Sequence, residues 1–325
     1  MKKVQHISSF EKTKILADNR RLQILQWLMA EPATLTQLAK RLGQSAARVQ
    51  HHMNKLVEAD LVKLHEVRVR GTVTEKYYQA KAGAFLLQQM ILPEGKKPAL
   101  VFSGSHDLAI EEVSRKLSDF LDIILYPVGS LDGLINLRQG LCHISGVHLL
   151  DESGEYNTPY IKHFFPDRAI VMVTLAHRTQ GLMFAKGNPK HIKGPGDLTK
   201  PDVRFINRNP GSGTRLWVDR ELKKYQIQSD QIIGYQSIAH THTACAQAIV
   251  SNSADTAFGL QAAARQFDLE FIPLFEEKYD LIIPGEHMNI FSPLLNHIQT
   301  AAFRKNLSSF TGYNPRNSGE QYTLH

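Results

Sequence analysis

Cysteine is almost missing from this chain. Only Cys142 and Cys245 occur in 325 residues, so neither a disulfide framework nor a cysteine-rich zinc site is available. Both thiols are expected to be buried and free. No apolar run approaches the roughly 18 residues of a membrane helix, and Met1-Lys2-Lys3-Val4-Gln5-His6 does not read as a signal peptide. A cytoplasmic chain with no membrane partner is expected. A P-loop is also missing, because no Lys-Ser or Lys-Thr follows the glycines of Asn207 to Arg215, which disfavours nucleotide hydrolysis. Gly-x-Ser-x-Gly does not occur. His106 and Asp107 stand beside Ser103 and Ser105, but sequence neighbours cannot supply a nucleophile, base and orienter in line, so no enzyme is expected. Histidine is plentiful, with 15 residues, yet no carboxylate or cysteine stands at a ligand spacing from His106, His148, His240 or His242. His240 and His242 also share no helix face. Neither a metal nor a required cofactor is expected.

What the chain does have is an uneven charge. Residues 1–98 hold 17 Lys or Arg against 8 Asp or Glu, and residues 99–325 hold 21 against 23. The first third therefore carries all of the net positive charge, as in a nucleic-acid-binding module joined to a neutral domain. Leu22, Leu25 and Leu28, widened by Ile24 and Trp27, predict a helix over Leu16 to Ala30, ended by Pro32. Thr34 is placed to cap a helix from Leu35 to Leu42, closed by Gly43. A third helix runs from Ser45 to about Ala59, with Val49, Met53, Leu56 and Val57 inward and Arg48, Gln50, His51, His52, Asn54 and Lys55 outward. Leu61 to Val69 and Val73 to Gln79, joined at Arg70-Gly71-Thr72, predict a hairpin. Helix, helix, helix, hairpin is a winged helix-turn-helix. Its third helix presents Ser45, Arg48, Gln50, His51, Asn54 and Lys55 to a major groove, and its wing presents Arg68 and Arg70 to phosphate or the minor groove.

The segment Thr34 to Val62, and Gln50-His-His-Met-Asn-Lys-Leu56 within it, resembles ArsR-type winged-helix repressors over about residues 10–90. Metal-sensing members carry cysteine pairs on the second helix, whereas this chain has Leu35, Thr36, Gln37 and Leu38, so the signal is expected to enter elsewhere. Ala82 to Leu92 reads as a further helix, and the resemblance implies that it forms a homodimer interface with residues 10–25. Domain boundaries are set at 1–92, a linker at 93–98 rich in proline and charge, and 99–325.

Beyond the linker, short apolar runs alternate with helical ones: Ala99 to Phe102, Ile123 to Pro127, Ile144 to Leu150, Ile170 to Ala176, Leu182 to Ala185, Val203 to Ile206, Asp255 to Gly259, Leu269 to Pro273 and Leu281 to Pro284. That alternation predicts open α/β sheets with ligands at strand C-termini. Small-residue turns precede three helices, at Ser103-Gly104-Ser105-His106-Asp107, Gly129-Ser130-Leu131-Asp132-Gly133 and Asn207 to Arg215. Each turn is suited to an anion through helix-start N–H groups and hydroxyls. The candidate ligand residues are Ser103, Ser105, His106, Ser130, His148, Arg208, Ser212, Gly213, Thr214, Arg215 and Tyr279. These turns, with Gly146 to Asp151, Gln180 to Met183 and Lys278 to Leu281, resemble the cytoplasmic members of the type 2 periplasmic-binding-protein superfamily. The resemblance implies two lobes that close on a ligand, and the Ser-Gly-Thr turn looks like an oxyanion loop of tungstate- and phosphate-binding proteins.

The expected protein is a one-component regulator that binds a double-stranded operator as a homodimer and senses a small anion. Molybdate or tungstate is the first expectation for the effector. A small organic anion, a molybdenum-cofactor-related pterin, or a ligand-binding protein without specific DNA binding are the alternatives.

Overall fold

The computed structural model describes residues 3–324, and the backbone alone at Arg70. It divides into two compact units, Met1–Ile91 and Leu92–His325.

The first unit opens with β1 (Val4–Ile7) and α1 (Phe10–Leu16), followed by α2 (Asn19–Ala30). Asp18 caps α2 by accepting the amides of Arg20 and Arg21 at 2.9 and 3.0 Å, so the helix expected from Leu16 starts at Asn19, and α1 before it has no counterpart in the sequence reading. A short β2 (Ala33–Thr34) leads into α3 (Leu35–Leu42). Thr34 and Gln37 form a reciprocal capping box, and Gly43 closes the helix at φ 62°. Then come α4 (Ala46–Glu58) and the hairpin of β3 (Val62–Arg70) and β4 (Val73–Ala80), with β5 (Ala84–Leu87) after it. Ile24, Leu25, Leu28, Leu38, Val49, Met53 and Leu56 form the core, as the helical spacing predicts.

Four expectations need correction here. Val57 is 42% exposed, because α4 turns it past the edge of the core, while His52 is buried against the start of α2. Leu22 is also on the open side. The fourth concerns Ala82 to Leu92, which is not a helix: Ala84–Leu87 pairs in parallel with Val4–Ile7. Val4 lies opposite Ala84, at the far end of the unit's chain, and local spacing cannot reveal so distant a pairing. The segment expected to supply a dimer helix is therefore a strand.

The second unit holds a ten-stranded sheet. Lobe one comprises β6 (Ala99–Gly104), α5 (Leu108–Lys116), β7 (Asp122–Pro127), α6 (Ser130–Arg138), β8 (Ile144–Val147) and α7 (Thr158–Phe164). A long strand, β9 (Ile170–Phe184), crosses to lobe two. Lobe two contains β10 (Phe205–Arg208), α8 (Gly213–Lys224), β11 (Ile238–Ala239), α9 (His242–Val250), β12 (Thr256–Leu260) and α10 (Gln261–Gln266). A second long strand, β13 (Glu270–Pro284), returns to lobe one, and α11 (Ser292–Ile298), α12 (Ala301–Leu307), β14 (Tyr313–Asn314) and β15 (Gln321–Leu324) follow. The sheet order is β11-β10-β12-β9-β13-β8-β6-β7, with β14 and β15 also on β9. β6, β7 and β8 are mutually parallel, as are β10, β11 and β12, so each lobe points its strand ends and helix starts at the region where β9 and β13 cross.

The sequence pattern suggests that each crossing strand is broken in two. Each is one 15-residue strand, antiparallel to the other along its length. The apparent gaps are polar residues, among them Arg178, Gln180 and Glu277, which are buried inside the strands. Leu28 is fully buried in the first unit. Replacing it with alanine should cost roughly 2–5 kcal/mol and lower the melting temperature of that unit in calorimetry; an unchanged melt would contradict this core.

Candidate functional sites

On α4 the open face carries Ser45, Arg48, His51, Asn54 and Lys55, with Gln50 half-buried beside them. The helix keeps this face polar because Val49, Met53 and Leu56 take the opposite side. Gln50 donates to Asn54 Oδ1 at 2.6 Å, an i,i+4 pair that holds the two side-chain amides together on this face. On the wing, Arg68 lies 4.5 Å from the Tyr77 ring centroid and pairs with Glu66 at 2.5 Å. The side chain of Arg70 lies outside the described residues.

In the second unit the candidates converge on the strand crossing. Asp107, at the cap of α5, accepts Arg178 Nη1 at 2.7 Å and the Tyr313 hydroxyl at 2.6 Å. Arg178 also pairs with Glu277 Oε1. The other oxygen of Glu277 receives Gln180 Nε2 and faces His148 Nδ1, each at 2.5 Å. His148 Nε2 lies 2.8 Å from Ser105 Oγ. Thr214 Oγ1 donates to Gln180 at 2.9 Å, which ties lobe two to the network. Arg178, Gln180, Glu277, His148, Ser105, Asp107 and Thr214 are all buried. Burial alone would raise the Glu277 carboxyl, but Arg178 and His148 outweigh it and hold it down at about 2. Burial drives His148 below its usual value against the pull of Glu277.

The hydroxyls that read as ligand donors each have a partner in the fold, and Ser103 and Ser130, which only accept, keep their own O–H to donate. Ser103 accepts from Asn136, Ser130 from the His148 amide, and Ser212 caps Arg215 while donating to Asn209 O. Arg215 is held in lobe two by Asp219 at 3.0 Å and by stacking on Tyr235. Tyr279 is buried, donates to Ser105 O at 2.6 Å and lies under Arg178, so it supports the network. His106 pairs with Glu111 at 2.8 Å. The lobes touch directly. Leu131 N donates to Gly211 O at 3.0 Å, and any Cβ on Gly213 would collide with the backbone oxygen of His148, so only glycine fits there.

Arg208 is different. It is 1% exposed, and its Nε and Nη2 donate to Ala239 O and His240 O at 3.2 and 2.9 Å, while Nη1 has no partner. No carboxylate pairs with it among the described residues. His242 is fully buried nearby with both ring nitrogens unpartnered, 6.2 Å from the ring of His106. A chamber of about 240 Å³ between the lobes is walled by Phe102, Ile110, Leu125, Tyr126 and Pro127, with Ser105, His106, Asp107, Glu111, Thr241 and Thr243 as its polar lining; Arg208 and His242 lie behind that lining and not in it. Sequence reasoning misses Asp107, Arg178, Gln180 and Glu277 and weighs His242 only as a metal ligand. The available signal is the polar residues interrupting apolar strands. Among the described residues no cluster of three or more His, Cys, Asp or Glu is arranged to hold a metal. Cys142 and Cys245 are buried and free, their thiols pushed up by burial to about 12 and about 11.

Burial, then the charges of Arg208, Arg178, His106 and His148, pushes His242 well below its usual value. The folded chain therefore disfavours a proton that the unfolded chain accepts near pH 6.5. Stability from this group is complete above that pH and is lost as pH falls below it, by up to about 1.4 kcal/mol per pH unit. Melting of the second unit should drop between pH 7 and 5, and less steeply in His242→Gln. Parallel slopes for the two proteins would contradict this burial.

Residues 18–63 match the bacterial regulatory protein, arsR family, and residues 110–299 match the PBP superfamily domain. The Uncharacterized protein YvgK of Bacillus subtilis (strain 168) is 33% identical over 232 residues, 70% of this chain and 74% of that protein. A Clostridium pasteurianum protein from the ferredoxin 2Fe-2S gene 5' region is 30% identical over 111 residues, 33% of this chain and 98% of its own. Among solved structures, a phosphate ABC transporter substrate-binding protein with bound phosphate from Clostridium perfringens shares 12% identity over 65% of this chain and 96% of its own, at TM-score 0.48. The tungstate ABC transporter from Geobacter sulfurreducens shares 12% over 65% and 98%, at TM-score 0.47. The chain belongs to the PBP superfamily, with that two-lobed domain carried behind an arsR-family helix-turn-helix.

Proposed function

We propose that the chain is a one-component transcription regulator that acts in the cytoplasm. The open face of α4, with Arg68 and Arg70 on the wing, binds an operator as a homodimer, and the two-lobed domain senses a small anion. The observation that carries the ligand reading is Arg208. A guanidinium removed from water without a carboxylate is costly, and its free Nη1 beside the unpartnered His242 offers a place where an anion offsets that cost. Molybdate or tungstate is the ligand proposed first, because donor-bearing helix starts converge on the crossing. A small organic anion or a pterin is the second, favoured by the partly apolar chamber, whose volume is just below the roughly 300–1,000 Å³ usual for small-molecule sites.

A ligand present at 100 times its Kd adds about 2.7 kcal/mol to stability. Thermal shift with molybdate, tungstate, sulfate, phosphate, acetate and benzoate should therefore show an increase for at least one anion, and Arg208→Gln should lose it. No response from any of them, or the same response in the variant, would refute the Arg208 site.

A further inference from the structure

The network at the strand crossing contains a line of three groups that ligand binding alone does not require. Ser105 Oγ lies 2.8 Å from His148 Nε2, and His148 Nδ1 lies 2.5 Å from Glu277 Oε2. The three residues are 43 and 129 positions apart in the chain, on the turn after β6, the end of β8 and the middle of β13. Glu277 is further fixed by Arg178 and Gln180. Its ionised carboxylate keeps the Nδ1 proton on the imidazole, so Nε2 is the acceptor and Ser105 the donor. That is the tautomer in which a histidine removes a proton from a serine hydroxyl.

The surroundings agree with this chemistry. Ser105 follows Gly104, which has a φ of +139° and packs so close to Gly146 that a side chain would collide with the Gly146 backbone. The strand-to-helix turn is therefore tight, and only glycine makes it. At the same turn Asp107 caps α5, a nine-residue helix, by accepting the Ile110 amide at 2.8 Å, and Glu111 N donates to Asp107 O, which leaves the Leu108 and Ala109 amides without intrahelical acceptors. Ser105 lines the chamber between the lobes, with Phe102, Ile110, Leu125 and Pro127 as apolar walls and Thr241 and Thr243 opposite.

We propose that Ser105, His148 and Glu277 form an acyl-transfer site for a small ester or thioester whose body fits the chamber. The Ser105 oxygen bonds to the carbonyl carbon as its proton passes to His148 Nε2. The carbonyl oxygen gains the electron pair and is met by the amides at the start of α5. The intermediate collapses, the bond to the leaving alcohol or thiol breaks, and His148 returns the proton to it. Water then releases the acyl group by the same steps, leaving the acid and free Ser105. Glu277 orients the imidazole and stabilises its protonated form throughout. This activity goes beyond ligand sensing, and it stands or falls independently of the Arg208 site.

The test is hydrolysis of p-nitrophenyl acetate by the full chain, read as p-nitrophenolate release, with peptide mass mapping after a fluorophosphonate probe. The probe should label Ser105, and Ser105→Ala should abolish both label and turnover. His148→Gln should slow turnover at least 100-fold, within the range of about 10²–10⁴ for a general base. The wild-type rate should also fall as pH drops and His148 is protonated. Ser105→Ala leaves His148 Nε2 without its partner and should lower the melt; a wild-type circular dichroism spectrum at the assay temperature separates lost chemistry from lost fold. Labelling of other serines but not Ser105, or turnover unchanged in His148→Gln, would overturn the proposal.

Discussion

The structure of the second unit depends on one buried carboxylate. Glu277 sits in the middle of a strand that crosses between lobes, is 1% exposed, and is met by Arg178, Gln180 and His148. An isolated carboxylate there would be too costly to keep charged. Charge-assisted hydrogen bonds from both crossing strands and from lobe one offset the desolvation. Arg178 needs the same treatment and receives it from Glu277 and Asp107 together. Such a network contributes little net stability compared with apolar packing, but removal of one member leaves its partner buried and unpaired, which typically costs about 3–5 kcal/mol. Its effect is geometric. It fixes where β9 and β13 cross and aims the loops of lobe one at that crossing.

Lobe closure builds on this frame. Thr214 at the start of α8 reaches Gln180, Gly213 packs on His148, and Leu131 meets Gly211 across the lobes. Of the donors expected to hold a ligand, Thr214 ties lobe two to the crossing, while Arg208 Nη1 and both ring nitrogens of His242 remain without partners. The closed arrangement is therefore stabilised by hydrogen bonds but retains an unmatched positive charge at its centre. A ligand that neutralises that charge shifts the balance between lobe arrangements only through its different affinity for each. Coupling of this kind to DNA binding is reciprocal, so operator DNA would alter ligand affinity by the same factor.

Legibility in the sequence follows locality. Thr34, Gln37 and Gly43 announce α3 because caps act within a few residues, and the spacing of Val49, Met53 and Leu56 places the polar face of α4. β5 resembles a helix in sequence because its partner strand lies at the other end of the unit. The crossing strands each look like two because buried polar residues resemble breaks when their partners are unknown. The small-residue turns are legible, since strand, turn and helix are local, but the engagement of their hydroxyls is a tertiary fact. Ser105, His148 and Glu277 show the limit most clearly. Ser105 and His148 stand out as candidates in the sequence and Glu277 does not. The line they form exists only after the sheet order has brought β6, β8 and β13 side by side.

The most direct measurement is fluorescence anisotropy of the full chain on a duplex selected by it from a random library, with and without an anion found by thermal shift. The account predicts a Kd change of about 5-fold or more, the lower end of ordinary allosteric coupling. It also predicts no change in Arg208→Gln, and loss of specific binding in the Arg48→Ala, Gln50→Ala double variant. Identical DNA affinity with and without saturating anion would contradict the claim that the two-lobed domain controls the DNA-binding unit.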